Sequence, residues 1–328
     1  MASIRQRNGK WQARVIRKGQ PPQARTFLSK QDAERWARGV ETEIDRGTCT
    51  SRTEADRTTL GEVIARYCAE VTPSMRAAHD DLIRLKALQR NPLCANTMSG
   101  LTPAKVAAFR DQRLRQVQPG TVIRELAYLS SIINHARREW GIHCTNSVAL
   151  VRKPEAPQGR ERLLSANEEA LLLAALAPSG GRSPWVRPVV ELALQTAMRR
   201  GELLGLRWGD VHLTERVAVL PLTKNGDRRL VPLSTGAVRI LGALPRALHD
   251  DRVFPVQAAA LAKAFDRATA RAGLLNLRFH DLRHTAITRM STKLPNVIEL
   301  AAVSGHRSLR MLQRYYHPNP QELAAKLG

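Results

Sequence analysis

Near the start of the chain, hydrophobic and polar positions alternate with the two-residue period of a β-strand. Trp11, Ala13 and Val15 fall on one face, and the polar side chains of Gln12 and Arg14 fall on the other. This alternation predicts a strand with one buried and one solvent-exposed face.

A hairpin is predicted at Asn8-Gly9, because this dipeptide strongly favours a two-residue turn between antiparallel strands. The turn joins residues 3–7 to residues 10–17, and a third strand is predicted at residues 23–29. The first segment therefore begins with a small three-stranded sheet.

A helix is predicted to follow this sheet. Ser29 and Asp32 resemble an N-cap with an acidic third residue, and Gly47 is a candidate C-terminal cap. Apolar residues at helical spacing give the helix one apolar stripe. The residues of the stripe are Ala33, Trp36, Ala37, Val40 and Ile44.

The pattern from Thr59 to about Trp140 is helical throughout. Thr59 is a candidate N-cap, and Thr102-Pro103 is another, with proline at the first helical position. The polar residues 49–57 before this segment are typical of a linker. The segment itself predicts a compact all-helical domain.

A second, charged linker at residues 152–163 precedes a last segment that is mostly helical, with one hairpin around Lys224. The whole pattern predicts a mainly α fold with small β elements, in which the last domain is mixed α/β. The predicted domains are residues 1–48, 58–150 and 163–328.

Charge is the strongest signal of the composition. The 52 Lys and Arg residues exceed the 29 Asp and Glu residues, which gives a net charge of +23 and a pI of about 11.1. Such an excess attracts polyanions through the release of their counterions, so nucleic acid is the expected partner. A generally basic proteome is the alternative explanation.

The basic residues of the first segment are candidates for contacts with DNA, because a basic sheet of this size fits a DNA groove. A solvated basic face is the alternative interpretation. The candidates are Arg5, Arg7, Lys10, Arg14, Arg17, Lys18 and Arg25.

Other partners and compartments are not expected. The sequence has no run of about 18 apolar residues that would cross a membrane, and its start lacks the apolar stretch of a secretory signal. The widely spaced cysteines favour reduced thiols in a cytoplasm over a disulfide framework or a zinc site. They are Cys49, Cys68, Cys94 and Cys144.

Four stretches of the last segment concentrate polar residues that suit chemistry on a phosphate. They contain Arg199 and Glu202; Lys224 at the predicted turn; His280, Arg283 and His284; and His306, Tyr315 and Tyr316. Taken singly, each has an ordinary explanation, such as a surface ion pair for Arg199 and Glu202. The spacing of His280 and His284 suits zinc, but no nearby ligand completes such a site.

Taken together, these stretches suit phosphoryl transfer. Guanidinium groups match the oxygens of a phosphate and of its transition state. A tyrosine phenol becomes a nucleophile when a neighbouring imidazole or guanidinium assists its deprotonation. A lysine can protonate the leaving 5′-oxygen. This inventory needs no metal ion and no other cofactor, and its product is a phosphotyrosine bond to DNA.

The order of these residues resembles that of the tyrosine recombinase (phage integrase) family, which is Arg, Lys, His-x-x-Arg, His and Tyr. The resemblance is most specific from residue 163 to the end of the chain. It implies catalytic roles for Arg199, Lys224, His280, Arg283, His306 and the nucleophile Tyr315, with Glu202 as the acid that supports Arg199.

The resemblance also implies what each domain is. Residues 1–48 resemble an arm-type DNA-binding domain, residues 58–150 a helical core-binding (SAM-like) domain, and residues 163–328 the catalytic domain. The implied protein is a cytoplasmic homotetramer on double-stranded DNA attachment sites. It integrates or excises a prophage or mobile element through a 3′-phosphotyrosine, without metal or ATP, and accessory DNA-bending and directionality proteins assist it.

The sequence departs from the family at two positions where little effect is expected: Ala197 replaces the usual glycine, and Ser304 replaces the usual leucine before Gly-His. Tyr316 competes with Tyr315 as nucleophile, but the Arg-Tyr-x-His register favours Tyr315. A Xer-type recombinase, a topoisomerase IB-like enzyme and a DNA-binding regulator without cleavage are the alternatives.

Overall fold

The computed structural model describes residues 2–17, 22–45, 53–178, 183–221, 228–246, 249–315 and 320–327. The chain divides into two compact units, Met1–Gln158 and Gly159–Gly328. Each unit is mainly helical and contains a three-stranded antiparallel sheet. The predicted fold class is therefore confirmed.

The sheet of the first unit consists of β1 (Ala2–Arg7), β2 (Lys10–Val15) and β3 (Gln23–Phe27), in that order. The predicted hairpin is confirmed, since β1 and β2 pair directly on both sides of the turn. Asn8 and Gly9 both have positive φ, 48° and 74°. A two-residue hairpin turn of type I′ requires this conformation.

Helix α1 (Lys30–Asp45) packs on this sheet. It begins where the sequence predicts, because the Ser29 hydroxyl accepts a hydrogen bond from the Asp32 backbone N–H at 3.1 Å. The predicted apolar stripe lies in one hydrophobic cluster with Ala13 and Val15. Gly47 lies outside the described residues.

The remaining helices of the first unit are α2 (Thr53–Arg57), α3 (Leu60–Glu70), α4 (Ala78–Gln89), α5 (Pro103–Leu114) and α6 (Pro119–Glu139). Thr59 and Thr102 cap α3 and α5 with their side chains, as predicted. The linker prediction for residues 49–57 is wrong at its end. Residues 53–57 are helical, because Ala55 is fully buried in the helical core.

The second unit contains the sheet β4–β6 and helices α7–α14. The helices are α7 (Ala166–Ala175), α8 (Val186–Thr196), α9 (Arg200–Gly205), α10 (Thr235–Gly242), α11 (Ala258–Arg271), α12 (Phe279–Lys293), α13 (Val297–Ser304) and α14 (Pro320–Leu327). The strands are β4 (Val211–His212), β5 (Val217–Leu220) and β6 (Arg229–Pro232). The predicted hairpin is β5–β6, and β4 adds an unpredicted third strand.

Helix α8 is the centre of the second unit. It packs against α12 and α10, and Val189, Val190 and Leu192 of this helix are fully buried. Burying such a side chain contributes about 1.5–3 kcal/mol. This packing holds the end of α8 and the start of α12 in place, next to the candidate site residues Arg199, His280 and Arg283. In the part of the chain that the structure describes, no helix is both long and apolar enough to span a membrane.

Candidate active site

The turn between α8 and α9 presents the first arginine. Helix α8 ends at Thr196, whose hydroxyl donates to the Leu192 carbonyl at 2.7 Å. Ala197 then adopts a left-handed conformation with φ of 53°, which costs a non-glycine residue about 1–2 kcal/mol. Arg199 follows in an extended conformation as the N-cap of α9. Alanine in place of glycine thus adds a conformational cost here but removes no functional group.

Glu202 holds two arginines at once. Its carboxylate accepts hydrogen bonds from Arg199 Nη1 at 2.6 Å and from the Arg199 backbone N–H at 2.8 Å. It also accepts one from Arg229 Nη2 at 2.8 Å. The Glu202 side chain is only 7% exposed, and hydrogen bonds between charged groups are shorter and stronger than neutral ones. Glu202 therefore fixes the direction of the Arg199 guanidinium.

Arg229 was not singled out by the sequence patterns. Besides Glu202, it contacts the Val303 carbonyl, which accepts from Nη1 at 2.9 Å. Burial lowers the pKa of the Arg229 guanidinium, and its Nε is buried without a hydrogen-bond partner among the described residues. Arg229 thus ties strand β6 to the end of α13, next to His306.

Arg283 joins three parts of the site. Its Nη1 donates to the Ala197 carbonyl, and its Nη2 donates to the Ser304 carbonyl at 2.6 Å. Burial, together with the positive charge of Arg199, lowers the pKa of Arg283 to about 10, so it stays protonated at neutral pH. A single guanidinium from α12 therefore connects the end of α8 with the end of α13.

His306 follows the end of α13. Gly305 ends the helix in a left-handed conformation with φ of 71°. The Ser304 hydroxyl donates to the Leu300 carbonyl at 2.6 Å and lies 2.7 Å from His306 Nδ1. Because this hydroxyl has a single proton, Nδ1 is the donor and Nε2 becomes an acceptor. Burial, and then the charge of Arg283, lowers the pKa of His306 to about 4, so the ring is neutral near pH 7.

Tyr315 is 7% exposed, and its ring packs in a hydrophobic cluster. The other buried members are Ala197, Ala286, Ile287, Leu300 and Leu312. Burial raises the pKa of the phenol, while the charges of Arg314 and Arg283 oppose this effect. The hydroxyl contacts His284 Nδ1, and the two rings stack with their centroids 5.8 Å apart. The His306 ring lies 6.4 Å from the Tyr315 ring.

His280 lies one turn before His284 on α12, and the two rings meet edge-on with their centroids 5.0 Å apart. His280 also lines an open cleft of about 610 Å³ together with Arg199, Arg200 and Arg278. Asp266 also lines the cleft, but the three arginines outnumber it, so the cleft matches the charge of a DNA phosphate.

The described contacts bring together the predicted residues Arg199, His280, Arg283, His306 and Tyr315, with Glu202 in support. Lys224 and Tyr316 lie outside the described residues. The resulting arrangement combines fixed cations, imidazoles and a phenol, which suits chemistry on a phosphate diester.

Comparison with known proteins agrees with this chemistry. Residues 162–322 match the model of the phage integrase family. Over 277 residues the chain is 40% identical to a shufflon-specific DNA recombinase of Escherichia coli, which covers 82% of this chain and 71% of that relative. The chain belongs to the phage integrase family. It is therefore a tyrosine site-specific recombinase.

Two further matches cover nearly the whole recombinase. A Haemophilus influenzae protein provisionally named integrase/recombinase is 35% identical over 337 residues, covering 98% of this chain and 89% of that relative. A solved structure of a lambda integrase tetramer bound to a Holliday junction matches with a TM-score of 0.63 at 22% identity. That match covers 93% of this chain and 95% of the other, and it shows that the recombinase has the integrase fold.

A buried acid fixes the start of α12 in the recombinase. Asp281 is 1% exposed, and it accepts from Arg160 Nε at 2.8 Å and from the Arg278 backbone N–H at 2.8 Å. Burial acts to raise the pKa of Asp281, but these donors outweigh it and hold the pKa below its usual value. Arg160 and Asp281 were not predicted as functional residues. By fixing the first turn of α12, these two residues hold the backbone that carries His280 and Arg283.

Four of the predicted DNA-binding residues of the recombinase share one exposed face of the first sheet. The pairing register of β1 with β2 places their side chains on the face opposite the core that α1 covers. They are Arg5, Arg7, Lys10 and Arg14.

The other three candidates differ. Arg25 pairs in register with Ala13, which lies on the core side, and its guanidinium lies over the Phe27 ring. Arg17 forms an ion pair with Asp45 at 3.0 Å. Lys18 lies outside the described residues. Of the described candidates, Arg5, Arg7, Lys10 and Arg14 thus form the exposed face, whereas Arg17 and Arg25 make the contacts given above.

Proposed function

We propose that this recombinase cleaves and rejoins duplex DNA through a 3′-phosphotyrosine bond, with Tyr315 as the nucleophile. Arg199 and Arg283 bind the non-bridging oxygens of the scissile phosphate, because a guanidinium matches that geometry. His280 and His306 donate hydrogen bonds to the same phosphate, His306 through Nε2 once that nitrogen carries a proton.

The observation that carries this proposal is the double contact of Arg283 with the Ala197 and Ser304 carbonyls. These contacts hold the first arginine turn, the start of α12 and the Gly-His turn against each other. Tyr315 packs against Ala197 in the same cluster. Such preorganised cations stabilise the charge of a phosphoryl transition state without rearrangement during the reaction.

Lys224 completes the proposed reaction as the general acid that protonates the leaving 5′-oxygen. Fixed cations take the place of a metal ion. Since the phosphotyrosine bond retains the energy of the phosphodiester, rejoining the strand needs no ATP. The proposed reaction therefore depends on neither metal nor nucleotide.

The proposed biological role is integration or excision of a prophage or another mobile element in a bacterial cytoplasm. Four protomers act together on two attachment sites, and the similar lambda integrase is a tetramer in its structure with a Holliday junction. Accessory DNA-bending and directionality proteins assist them. Recombination within a shufflon is a second candidate, favoured by the 40% identity to the Escherichia coli shufflon-specific enzyme.

A suicide-substrate assay tests the nucleophile. The substrate carries the attachment site, read from the DNA that flanks the gene, with a nick that prevents rejoining. We expect wild type and Tyr316→Phe to form a covalent adduct in the presence of EDTA. We expect Tyr315→Phe to form none, because its side chain lacks the attacking oxygen.

Other outcomes decide between the alternatives. An adduct that persists in Tyr315→Phe and disappears in Tyr316→Phe shifts the nucleophile by one residue. Tight binding without an adduct from any of the proteins indicates a regulator. Relaxation of supercoiled DNA that lacks the attachment site indicates a topoisomerase-like enzyme.

The salt dependence of binding tests the arm-type role proposed for residues 1–48. Arg5, Arg7, Lys10 and Arg14 are replaced together by glutamine. We expect the slope of log K against log salt concentration to fall by about 0.9 for each phosphate that the variant no longer neutralises. Binding to DNA with and without candidate arm sites is measured by titration at several salt concentrations.

Arg35 and Arg38 on the exposed side of α1 provide the matched control. Replacing both by glutamine removes charge from the same segment but not from the sheet face. An equal decrease in slope per charge in both variants contradicts a specific role of the sheet and indicates general attraction to DNA.

A further inference from the structure

His284 is outside the set of catalytic groups that the family resemblance implies, yet it is the residue that contacts the Tyr315 hydroxyl. The contact is made by Nδ1. The two rings are nearly parallel, with an interplanar angle of 28°. An imidazole in hydrogen-bond contact with a phenol has the geometry that proton transfer requires.

The other two histidines are less suited to this role. His306 uses its Nδ1 for Ser304, and its ring centroid is 6.4 Å from that of Tyr315. The edge of the His280 ring meets the His284 ring. The Nδ1 atom of His284, by contrast, contacts the phenol oxygen directly.

Burial and the nearby positive charges keep the His284 ring neutral. On α12 it faces His280, Asp281 and Arg283, and from other segments it faces Arg314, Tyr315 and His306. Burial, and then the positive charges of His280 and Arg314, lowers the pKa of His284 to about 4, although Asp281 opposes this. A neutral imidazole with Nδ1 directed at the phenol is ready to accept a proton.

We propose that His284 is the general base that removes the phenol proton of Tyr315 during strand cleavage. This role rests on the proposed function of Tyr315 as nucleophile. The Nε2–H tautomer of His284 accepts the proton on Nδ1 and becomes an imidazolium, in a position that the family's catalytic order leaves unassigned.

The step balances in atoms and charge. The Tyr315 oxygen forms a bond to phosphorus, and its proton moves to His284 Nδ1. The bond from phosphorus to the 5′-oxygen breaks, and that oxygen takes a proton from Lys224. In rejoining, the 5′-hydroxyl returns its proton to Lys224, and the His284 imidazolium returns its proton to Tyr315.

The test compares His284→Ala with wild type in single-turnover cleavage of the suicide substrate, using the full chain. We expect the variant to cleave at least about 10²-fold more slowly. Its rate should rise by up to about tenfold per pH unit between roughly pH 6.5 and 8.5, because the phenol must then ionise unaided. The wild-type rate should stay nearly level, and added imidazole should restore part of the variant's rate.

Two further variants separate proton transfer from positioning. His284→Asn keeps a side chain that can hydrogen-bond the phenol but cannot accept its proton, so it should be as slow as His284→Ala. His212→Ala removes an exposed histidine on β4 and should cleave like wild type. Each variant is first compared with wild type for its thermal unfolding and its DNA affinity.

Three results overturn the role of His284. They are a rate within a few fold of wild type in His284→Ala, a slow rate with a level pH profile and no effect of imidazole, or full activity in His284→Asn. Failure of the proposed function looks different. In that case wild type forms no adduct, or Tyr315→Phe still forms one, whatever residue occupies position 284.

Discussion

Replacing Arg283 by lysine is expected to slow strand cleavage by about 10³-fold or more, the range found when a donor to transition-state charge is removed. The guanidinium contacts two carbonyls, those of Ala197 and Ser304, and still has N–H groups for a phosphate. A lysine keeps the charge but not this planar set of donors. Cleavage is measured in single turnover at saturating protein.

Arg289→Lys is the matched control. Arg289 is on the same helix, and it pairs with Glu169 at 2.6 Å and with the Leu164 carbonyl. Its side chain is 41% exposed, so the substitution should leave cleavage within about threefold, as for most exposed ion pairs. If both variants lose activity equally, the effect comes from weakening α12. If neither does, Arg283 does not bind the scissile phosphate.

Local signals in the sequence predicted several elements correctly. The Asn8-Gly9 turn needs only the conformations of its own two residues, and both are left-handed as expected. Thr102 and Pro103 likewise define the start of α5 through bonds within one helical turn. Such elements are predictable because their stability depends on neighbours in sequence.

Helix α2 was missed for the opposite reason. Residues 53–57 are polar except for Ala55, and one alanine gives no apolar stripe. That alanine is fully buried in a cluster that includes residues distant in sequence, and its carbonyl accepts from the Ser99 backbone N–H at 3.0 Å. Tertiary packing, rather than local periodicity, therefore makes this segment a helix.

The sequence does not show which of two adjacent arginines, Arg228 or Arg229, supports the site. Arg228 and Arg229 are adjacent at the start of β6, and on a strand they point to opposite faces. Arg228 is exposed, whereas Arg229 reaches Glu202 and Val303. Only the register of the strand against β5 decides which arginine is buried.

The same limit applies to the histidines of α12. The spacing of His280 and His284 predicts that both lie on one side of the helix, and they do. Their contacts differ because Tyr315 approaches from a separate segment near the end of the chain. The family order names His280, and the structure adds His284 beside the phenol.

At Gly305, the addition of a single methyl group should have a large effect on stability and cleavage. A Cβ atom at this residue would lie 2.5 Å from Arg229 Nη1 and 2.9 Å from its Cδ and Cζ. Arg229 has little room to move, because Glu202 and the Val303 carbonyl both hold it. A methyl group at this position therefore displaces a buried, hydrogen-bonded charge.

Gly305→Ala is expected to lower the free energy of unfolding by about 3–5 kcal/mol, combining the left-handed backbone cost with disrupted hydrogen bonds of a charged group. Gly273→Ala is the matched control, since Gly273 has φ of 66° and no atom within 4 Å of an added Cβ. It should lose only about 1–2 kcal/mol, the backbone cost alone. Urea denaturation of both full-length variants measures the difference.

Cleavage should fall only in Gly305→Ala, because displacing Arg229 also releases Glu202 and Arg199. Equal losses of stability in the two variants would mean that Arg229 can move aside, and that it does not hold the site together.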